Sequence, residues 1–218
     1  DTVVDYPDPN CSILKNELSK YLKISYDNIV VGNGAAEIIY LVAQHLGNLG
    51  KGSGYQALIP APTFAEYASA VVGNTGRIRL FPLSQESGFE INFVELADRA
   101  RGCDVIFICN PNNPTGNLIK RDVLLDFSHK VATFGGLVVI DEAFMDFVEN
   151  PDDYSLISHA VCMDNVIILR SLTKFFALPG LRLGYAVGTE ENIEKIARAK
   201  DPWSVNSMAQ VAGTAALG

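Results

Sequence analysis

The chain has 218 residues, of which 48% are hydrophobic and 19% are charged, and its formal net charge is −8. This composition is typical of a globular protein long enough for one large core. The acidic balance argues against nucleic-acid and anionic-membrane partners. No apolar run reaches the roughly 20 residues that a membrane span needs.

Cysteine and histidine usage argues against a metal centre. The four cysteines and three histidines show no metal-ligand spacing. The first residues, DTVVDYPDPN, lack the basic and apolar regions of a signal peptide. We therefore expect no metal, and buried free thiols as in a cytoplasmic protein.

Seven short apolar runs recur along the chain and predict strands. They are NIVVGNG (28–34), QALIP (56–60), RIRLF (77–81), DVIFICN (104–110), GLVVIDEA (136–143), NVIILRS (165–171) and RLGYAVG (182–188). Helical spacing is found between or after them in AAEIIYLVAQHL (35–46), FAEYASAVV (64–72), FVELADRA (93–100), RDVLLDFSHKVA (121–132), EENIEKIARA (190–199) and SMAQVAGTAALG (207–218). The alternation predicts a mainly parallel sheet in a three-layer α/β domain whose strands are covered on both faces.

Polar groups follow several predicted strands, at the sheet edge where parallel strands collect their ligand sites. The turn GNGAAE would point the N–H groups of Gly34, Ala35 and Ala36 at a phosphate, although such turns are often purely structural. In NPNNPTG, Asn113 is held extended before a proline, so its amide can face a ligand; a plain proline-rich turn is the alternative.

Two carboxylates follow the strand GLVVI, in the motif DEAF. Asp141 and Glu142 are consecutive, so only one of them can face a crevice at this edge. A helix cap is the alternative role for such a carboxylate.

A lysine stands between two apolar runs in SLTKFFALPGLRLGY. Lys174 is accompanied by the hydroxyls of Ser171 and Thr173 and by Arg182. A buried ammonium is costly unless it is paired, neutral or used covalently. We therefore expect Lys174 to be a functional residue.

Together these groups favour one cofactor. A phosphate cradle, an amide, a carboxylate, a lysine and an arginine at one sheet edge fit a molecule with a phosphate, a cationic ring nitrogen and an aldehyde. Pyridoxal 5′-phosphate (PLP) has these groups. A Schiff base with Lys174 would also remove the unpaired ammonium.

The order NPNNPTG, DEAF and SLTKxxxLPGLRLGY resembles the aspartate aminotransferase superfamily of fold type I PLP enzymes, over nearly the whole chain. The resemblance implies that Lys174 forms the Schiff base and that Asp141 pairs with the pyridinium nitrogen. It implies that Asn113 binds the ring hydroxyl. Many relatives carry a tyrosine where this sequence has Phe144, so Asn113 would bind that hydroxyl alone.

The same resemblance implies the remaining cofactor contacts. Ser171 and Arg182 would bind the phosphate together with the backbone of residues 34–36, and Thr173 belongs to the same cofactor-binding segment. Phe64 would stack on the ring. Tyr6 in YPDP would reach the phosphate of a neighbouring subunit, which implies a homodimer with shared sites.

Two branches of the superfamily are the nearest matches. YPDP, LPGLRLGY and the general layout resemble histidinol-phosphate aminotransferases. FAEY, DEAFMDF and PWSVNSMAQVAG resemble threonine-phosphate decarboxylases of cobalamin synthesis more closely. The favoured expectation is decarboxylation of L-threonine O-3-phosphate, a small phosphorylated amino acid, to (R)-1-amino-2-propanol O-2-phosphate. PWSVN is also typical of a helix start, with Ser204 or Asn206 as N-cap and Trp203 as a packing residue.

Two other expectations accompany this one. A non-catalytic PLP-binding regulatory domain is the alternative of another class, although the sequence lacks the basic recognition helix of a DNA-binding regulator. Both ends of the chain look cut, so residues 1–218 are expected to be a central large PLP-binding domain without an N-terminal arm or a C-terminal small domain. The superfamily's arginine for the substrate carboxylate usually lies in that small domain.

Overall fold

One seven-stranded sheet forms the centre of the described chain. The computed structural model describes residues 4–49 and 54–218. The strands are β1 (Ile29–Asn33), β2 (Gln56–Ala61), β3 (Arg77–Pro82), β4 (Val105–Cys109), β5 (Leu137–Asp141), β6 (Val166–Ser171) and β7 (Leu183–Val187). Their order is β1-β7-β6-β5-β4-β2-β3. All seven predicted strands are confirmed.

Helices cover both faces of the sheet. They are α1 (Ser12–Leu22), α2 (Gly34–Leu49), α3 (Glu66–Gly73), α4 (Phe93–Arg99), α5 (Arg121–Ala132), α6 (Ile157–Ala160), α7 (Glu190–Ala199) and α8 (Ser207–Leu217). Buried residues of α2, α3 and α7 pack on one face, which we call the front face. Those of α1, α4, α5, α6 and α8 pack on the other, the back face. The three-layer α/β fold is therefore confirmed.

The sheet is mainly parallel, as predicted, and β7 is the exception. This strand runs antiparallel to both of its neighbours, β6 and β1. The link between β6 and β7, residues 172–182, contains one short 3₁₀ turn, and a parallel crossover needs a dozen or more residues, usually with a helix. As a result, β7 begins at the edge where the other strands end.

Three of the four thiols behave as predicted. All four cysteines are free; Cys11, Cys103 and Cys109 are buried, whereas Cys162 is exposed. Cys162 escapes burial because it lies in the turn after α6 rather than in a strand. Within residues 4–49 and 54–218, no helix combines the length and the apolar character needed to cross a membrane.

Candidate functional site

A cavity lies at the sheet edge where β4, β5 and β6 end and β7 begins. Nine of the predicted site residues line it: Ala35, Ala36, Phe64, Asn113, Asp141, Ser171, Thr173, Lys174 and Arg182. Cys109, Ala143 and Phe144 complete its lining. The antiparallel direction of β7 explains why Arg182, which directly precedes that strand, reaches this edge.

One end of the cavity is built to receive an anion. Gly34 opens α2 with a φ of +78°, and a Cβ there would lie 2.7 Å from Nη2 of Arg182. A Cβ on Gly184 would collide with the backbone nitrogen of Ala35. Gly34 therefore lets the first turn of α2 approach the guanidinium, and Gly184 lets it approach β7. Free helix N–H groups, a guanidinium and the nearby Ser171 hydroxyl are the donors that a phosphate requires.

Arg182 itself has an unusual backbone conformation. Its φ is 57°, in the left-handed region, and its Nη1 donates to the carbonyl oxygen of Pro179 at 3.2 Å. Non-glycine residues adopt this conformation at a cost, and such residues concentrate at binding sites. The turn between β6 and β7 thus holds the side chain against α2.

A chain of polar atoms connects the lysine to the anion end. Nζ of Lys174 donates to Oγ1 of Thr173 at 3.0 Å, and that hydroxyl lies 2.6 Å from Oγ of Ser171. The expectation that Lys174 is buried is wrong: the residue is exposed at the cavity. β6 ends at Ser171, as predicted, so Lys174 lies in the turn that follows it.

The carboxylate of Asp141 forms the floor of the cavity. It is 4% exposed, and its Oδ2 accepts a hydrogen bond from Oη of Tyr67 at 2.7 Å. Its Oδ1 accepts from the backbone N–H of Ala143 at 3.0 Å. Burial raises the pKa of Asp141, while these two hydrogen bonds and the charge of Lys174 oppose the rise. A cationic ring nitrogen bound here would favour the ionised form further.

Tyr67 is the site residue that sequence analysis missed. It is fully buried on α3 and stacks on Phe107 with ring centroids 5.2 Å apart. Its signal in the sequence was its position three residues after Phe64, which turns both rings toward the same side; the two rings meet edge to face at 5.6 Å. Tyr67 therefore orients Asp141 from the front face.

When the pH is lowered, the Tyr67→Phe variant is expected to lose activity at a higher pH than the wild-type protein. The hydroxyl that this variant lacks stabilises the ionised carboxylate of Asp141. A hydrogen bond to a charged group contributes about 1.5–3 kcal/mol. Without it the pKa of Asp141 rises, so the acid limb of the kcat/KM profile moves up in pH. Tyr40→Phe is the matched control, because that hydroxyl donates to Glu66 at an exposed position. An unchanged acid limb in Tyr67→Phe would separate this hydrogen bond from function.

Asp141 and Glu142 face opposite sides of the sheet, as strand alternation predicts. Glu142 is fully buried on the back face, where its Oε2 lies 2.9 Å from Nη2 of Arg170. Glu142 therefore does not reach the cavity, and Asp141 is the carboxylate available to a ligand there.

Two of the predicted site residues lie outside the cavity lining. Gly34 lies beneath Arg182, next to the lining residue Ala35. Tyr6 is 80% exposed and its ring centroid lies 4.8 Å from that of Trp203. Its role at a neighbouring subunit stays a prediction. In the same region, the predicted cap of α8 is confirmed, since Oδ1 of Asn206 accepts from the N–H of Ala209 at 2.8 Å.

Replacing Arg182 with alanine is expected to weaken PLP binding by about 2–4 kcal/mol, because a phosphate dianion loses a charged hydrogen-bonding partner. This corresponds to roughly 30- to 700-fold in the dissociation constant. A PLP titration followed by absorbance measures it. Arg198→Ala, at an exposed position on α7, is the control. An unchanged titration for Arg182→Ala would assign Arg182 to the structure of the β6–β7 turn alone.

The model of the family "Aminotransferase class I and II" matches residues 2–218. The chain belongs to this family. The cofactor of this family is pyridoxal 5′-phosphate. The cavity fits that group: α2, Ser171 and Arg182 suit its phosphate, Asp141 suits its ring nitrogen, and Lys174 suits its aldehyde.

Relatives with two different activities resemble this member of the family. A threonine-phosphate decarboxylase of Salmonella typhimurium is 34% identical over 100% of the chain, and a histidinol-phosphate aminotransferase of Caldicellulosiruptor saccharolyticus is 36% identical over 97%. The chain spans 58% and 57% of the length of these two proteins. The crystal structure of L-threonine-O-3-phosphate decarboxylase from Porphyromonas gingivalis matches 99% of the chain and 64% of its own, with a TM-score of 0.83 and 26% identity.

Proposed function

We propose that this family member is part of an enzyme that decarboxylates L-threonine O-3-phosphate to (R)-1-amino-2-propanol O-2-phosphate in cobalamin synthesis. The observation that carries the proposal is the aromatic wall beside the lysine. The ring centroid of Phe144 lies 5.4 Å from Nζ of Lys174, and Phe64 also lines the cavity. The identity to the Salmonella typhimurium decarboxylase supports the same reading.

The reaction depends on how the chain's residues orient the substrate. When bound, PLP withdraws electrons from the α-carbon of an amino substrate, so that a bond at this carbon can break heterolytically. The residues that fix the substrate would therefore select which bond at this carbon breaks. Asp141 would keep the ring nitrogen protonated by charge pairing. Nζ of Lys174 would deliver a proton to the α-carbon, to replace the carboxylate lost as CO₂.

The aromatic wall favours loss of the carboxylate. A carboxylate against a phenyl ring loses hydration, which is costly for an anion, whereas the departing CO₂ is neutral. Phe144 offers the cavity a ring and no hydroxyl. The cavity therefore lowers the polarity around the group that leaves.

Histidinol-phosphate aminotransferase activity is the second candidate. The 36% identity to the Caldicellulosiruptor saccharolyticus enzyme favours it, and the same lysine, aspartate and arginine would serve transamination. In that reaction Lys174 would remove the α-hydrogen, and the carboxylate would stay on the substrate. A non-catalytic regulatory domain has less support, because a lysine, a carboxylate and a guanidinium all line one cavity.

The test compares decarboxylation and transamination by the full-length, PLP-loaded protein. We expect CO₂ from L-threonine O-3-phosphate without added 2-oxoglutarate, and little CO₂ from unphosphorylated L-threonine. In parallel, glutamate formation is followed from histidinol phosphate plus 2-oxoglutarate. A larger kcat/KM for glutamate formation than for CO₂ release would overturn the decarboxylase assignment in favour of the aminotransferase.

A further inference from the structure

A buried ionic cluster lies on the back face, directly behind the cavity. It consists of Glu142, Arg170, Asp146 and Ser155. Nε of Arg170 donates to Oε2 of Glu142 at 2.9 Å, and Nη1 donates to Oδ1 of Asp146 at 3.0 Å. Nη2 of Arg170 donates to Oγ of Ser155 at 3.2 Å, and that hydroxyl donates to Oε2 of Glu142 at 2.7 Å. The guanidinium therefore binds three side chains from the stretch that follows β5.

Each charged member of the cluster is close in sequence to a residue that lines the cavity. Glu142 lies between Asp141 and Ala143, Arg170 precedes Ser171, and Asp146 follows Phe144 by two residues. Strand alternation turns Glu142 away from Asp141 and Arg170 away from Ser171. The cluster thus fixes from behind the backbone that carries the cavity floor.

The stability of the fold does not by itself explain such a cluster. The side chains of Arg170 and Glu142 are 6% and 0% exposed, and removing two charges from water is costly. Apolar replacement of a buried ion pair is often neutral or stabilising. What the guanidinium supplies beyond packing is geometry, because its planar fork fixes the directions of its partners.

We propose that Arg170 and Glu142 are positioning residues of the cofactor site, which set the separation between the carboxylate of Asp141 and the hydroxyl of Ser171. Asp141 would meet the ring nitrogen of PLP and Ser171 its phosphate, so their separation would decide whether both contacts form together. The inference rests on the assignment of Asp141 to the ring nitrogen and Ser171 to the phosphate.

The test removes the ion pair while keeping the acceptors for its neighbours. The variant Arg170→Met/Glu142→Gln/Asp146→Asn leaves no carboxylate of the cluster without its cation. The glutamine can still accept from the N–H of Leu156, which bonds to Oε1 of Glu142 at 3.0 Å. Arg198→Met/Glu194→Gln is the matched control, an exposed ion pair at 2.6 Å on α7. Readouts are the PLP dissociation constant, the pH midpoint of the bound cofactor's absorbance change and the melting temperature without PLP.

We expect the buried-pair variant to bind PLP roughly 10- to 100-fold more weakly, the range found for residues that orient metal ligands from behind. We also expect a shifted pH midpoint, with a melting temperature close to the wild-type value. Should this variant not fold, Arg170→Lys gives the same readouts, with an intermediate affinity expected because one ammonium cannot fill the fork.

A dissociation constant and a pH midpoint equal to those of the wild type would overturn the positioning role while leaving the cofactor site intact. A lower melting temperature with unchanged PLP binding would have the same meaning, since the cluster would then serve stability only. Failure of the wild-type protein to bind PLP would instead overturn both this inference and the proposed function.

Discussion

Replacing Lys174 with alanine is expected to abolish covalent attachment of PLP and to reduce turnover more than any other single change. The variant loses the amine that faces the cavity. Loss of proton transfer alone costs about 10²–10⁴-fold in rate, and loss of covalent attachment adds to this. Turnover and the visible absorbance of the lysine-bound cofactor are the measurements.

Lys120→Ala is the control for that experiment. Lys120 is exposed, lies 3.7 Å from Asp153 in an ion pair and does not line the cofactor cavity. We expect this variant to keep the absorbance and the rate of the wild-type protein. Persistence of the covalent absorbance in Lys174→Ala, after correction for free cofactor, would show that another amine binds the aldehyde.

Replacing Asp141 with asparagine is expected to leave PLP bound and to lower turnover by about 10²–10³-fold. That is the cost of removing one preorganised electrostatic group from an active site. Asparagine preserves the shape of the floor and can still accept a hydrogen bond. It carries no charge to keep the ring nitrogen protonated, so the bound cofactor withdraws electrons less strongly.

The control for this change is Asp126→Asn, an exposed carboxylate on α5. PLP affinity by titration and kcat with the preferred substrate are compared for both variants. If Asp141→Asn retained a wild-type rate, the ring nitrogen would not depend on this carboxylate for its proton. Since Glu142 faces the back of the sheet, it could not substitute for Asp141.

The strands and the cavity-lining residues could be predicted because their signals are local. Val105–Cys109 and Val166–Ser171 are buried at every position, and such strands read as continuous apolar runs. The polar residues that follow β1, β4, β5 and β6 needed only the rule that parallel strands end at one edge.

Features that depend on tertiary context could not be predicted in the same way. The direction of β7 depends on the length and path of the β6–β7 link, and the exposure of Lys174 depends on the path of the same link. Helix α1 is not among the predicted elements, since within it only Leu14 and Leu18 are buried. The hydrogen bond from Tyr67 to Asp141 joins residues 74 positions apart, a pairing that no local pattern reveals.

The central claim, that this chain holds PLP through Lys174, is tested most directly by chemical trapping. The PLP-loaded protein is reduced with borohydride and digested, and the labelled peptide is identified by mass spectrometry. We expect one phosphopyridoxyl label, on Lys174 within SLTKFFALPGLR. A label on Lys120 or another lysine, or no label at all, would contradict it.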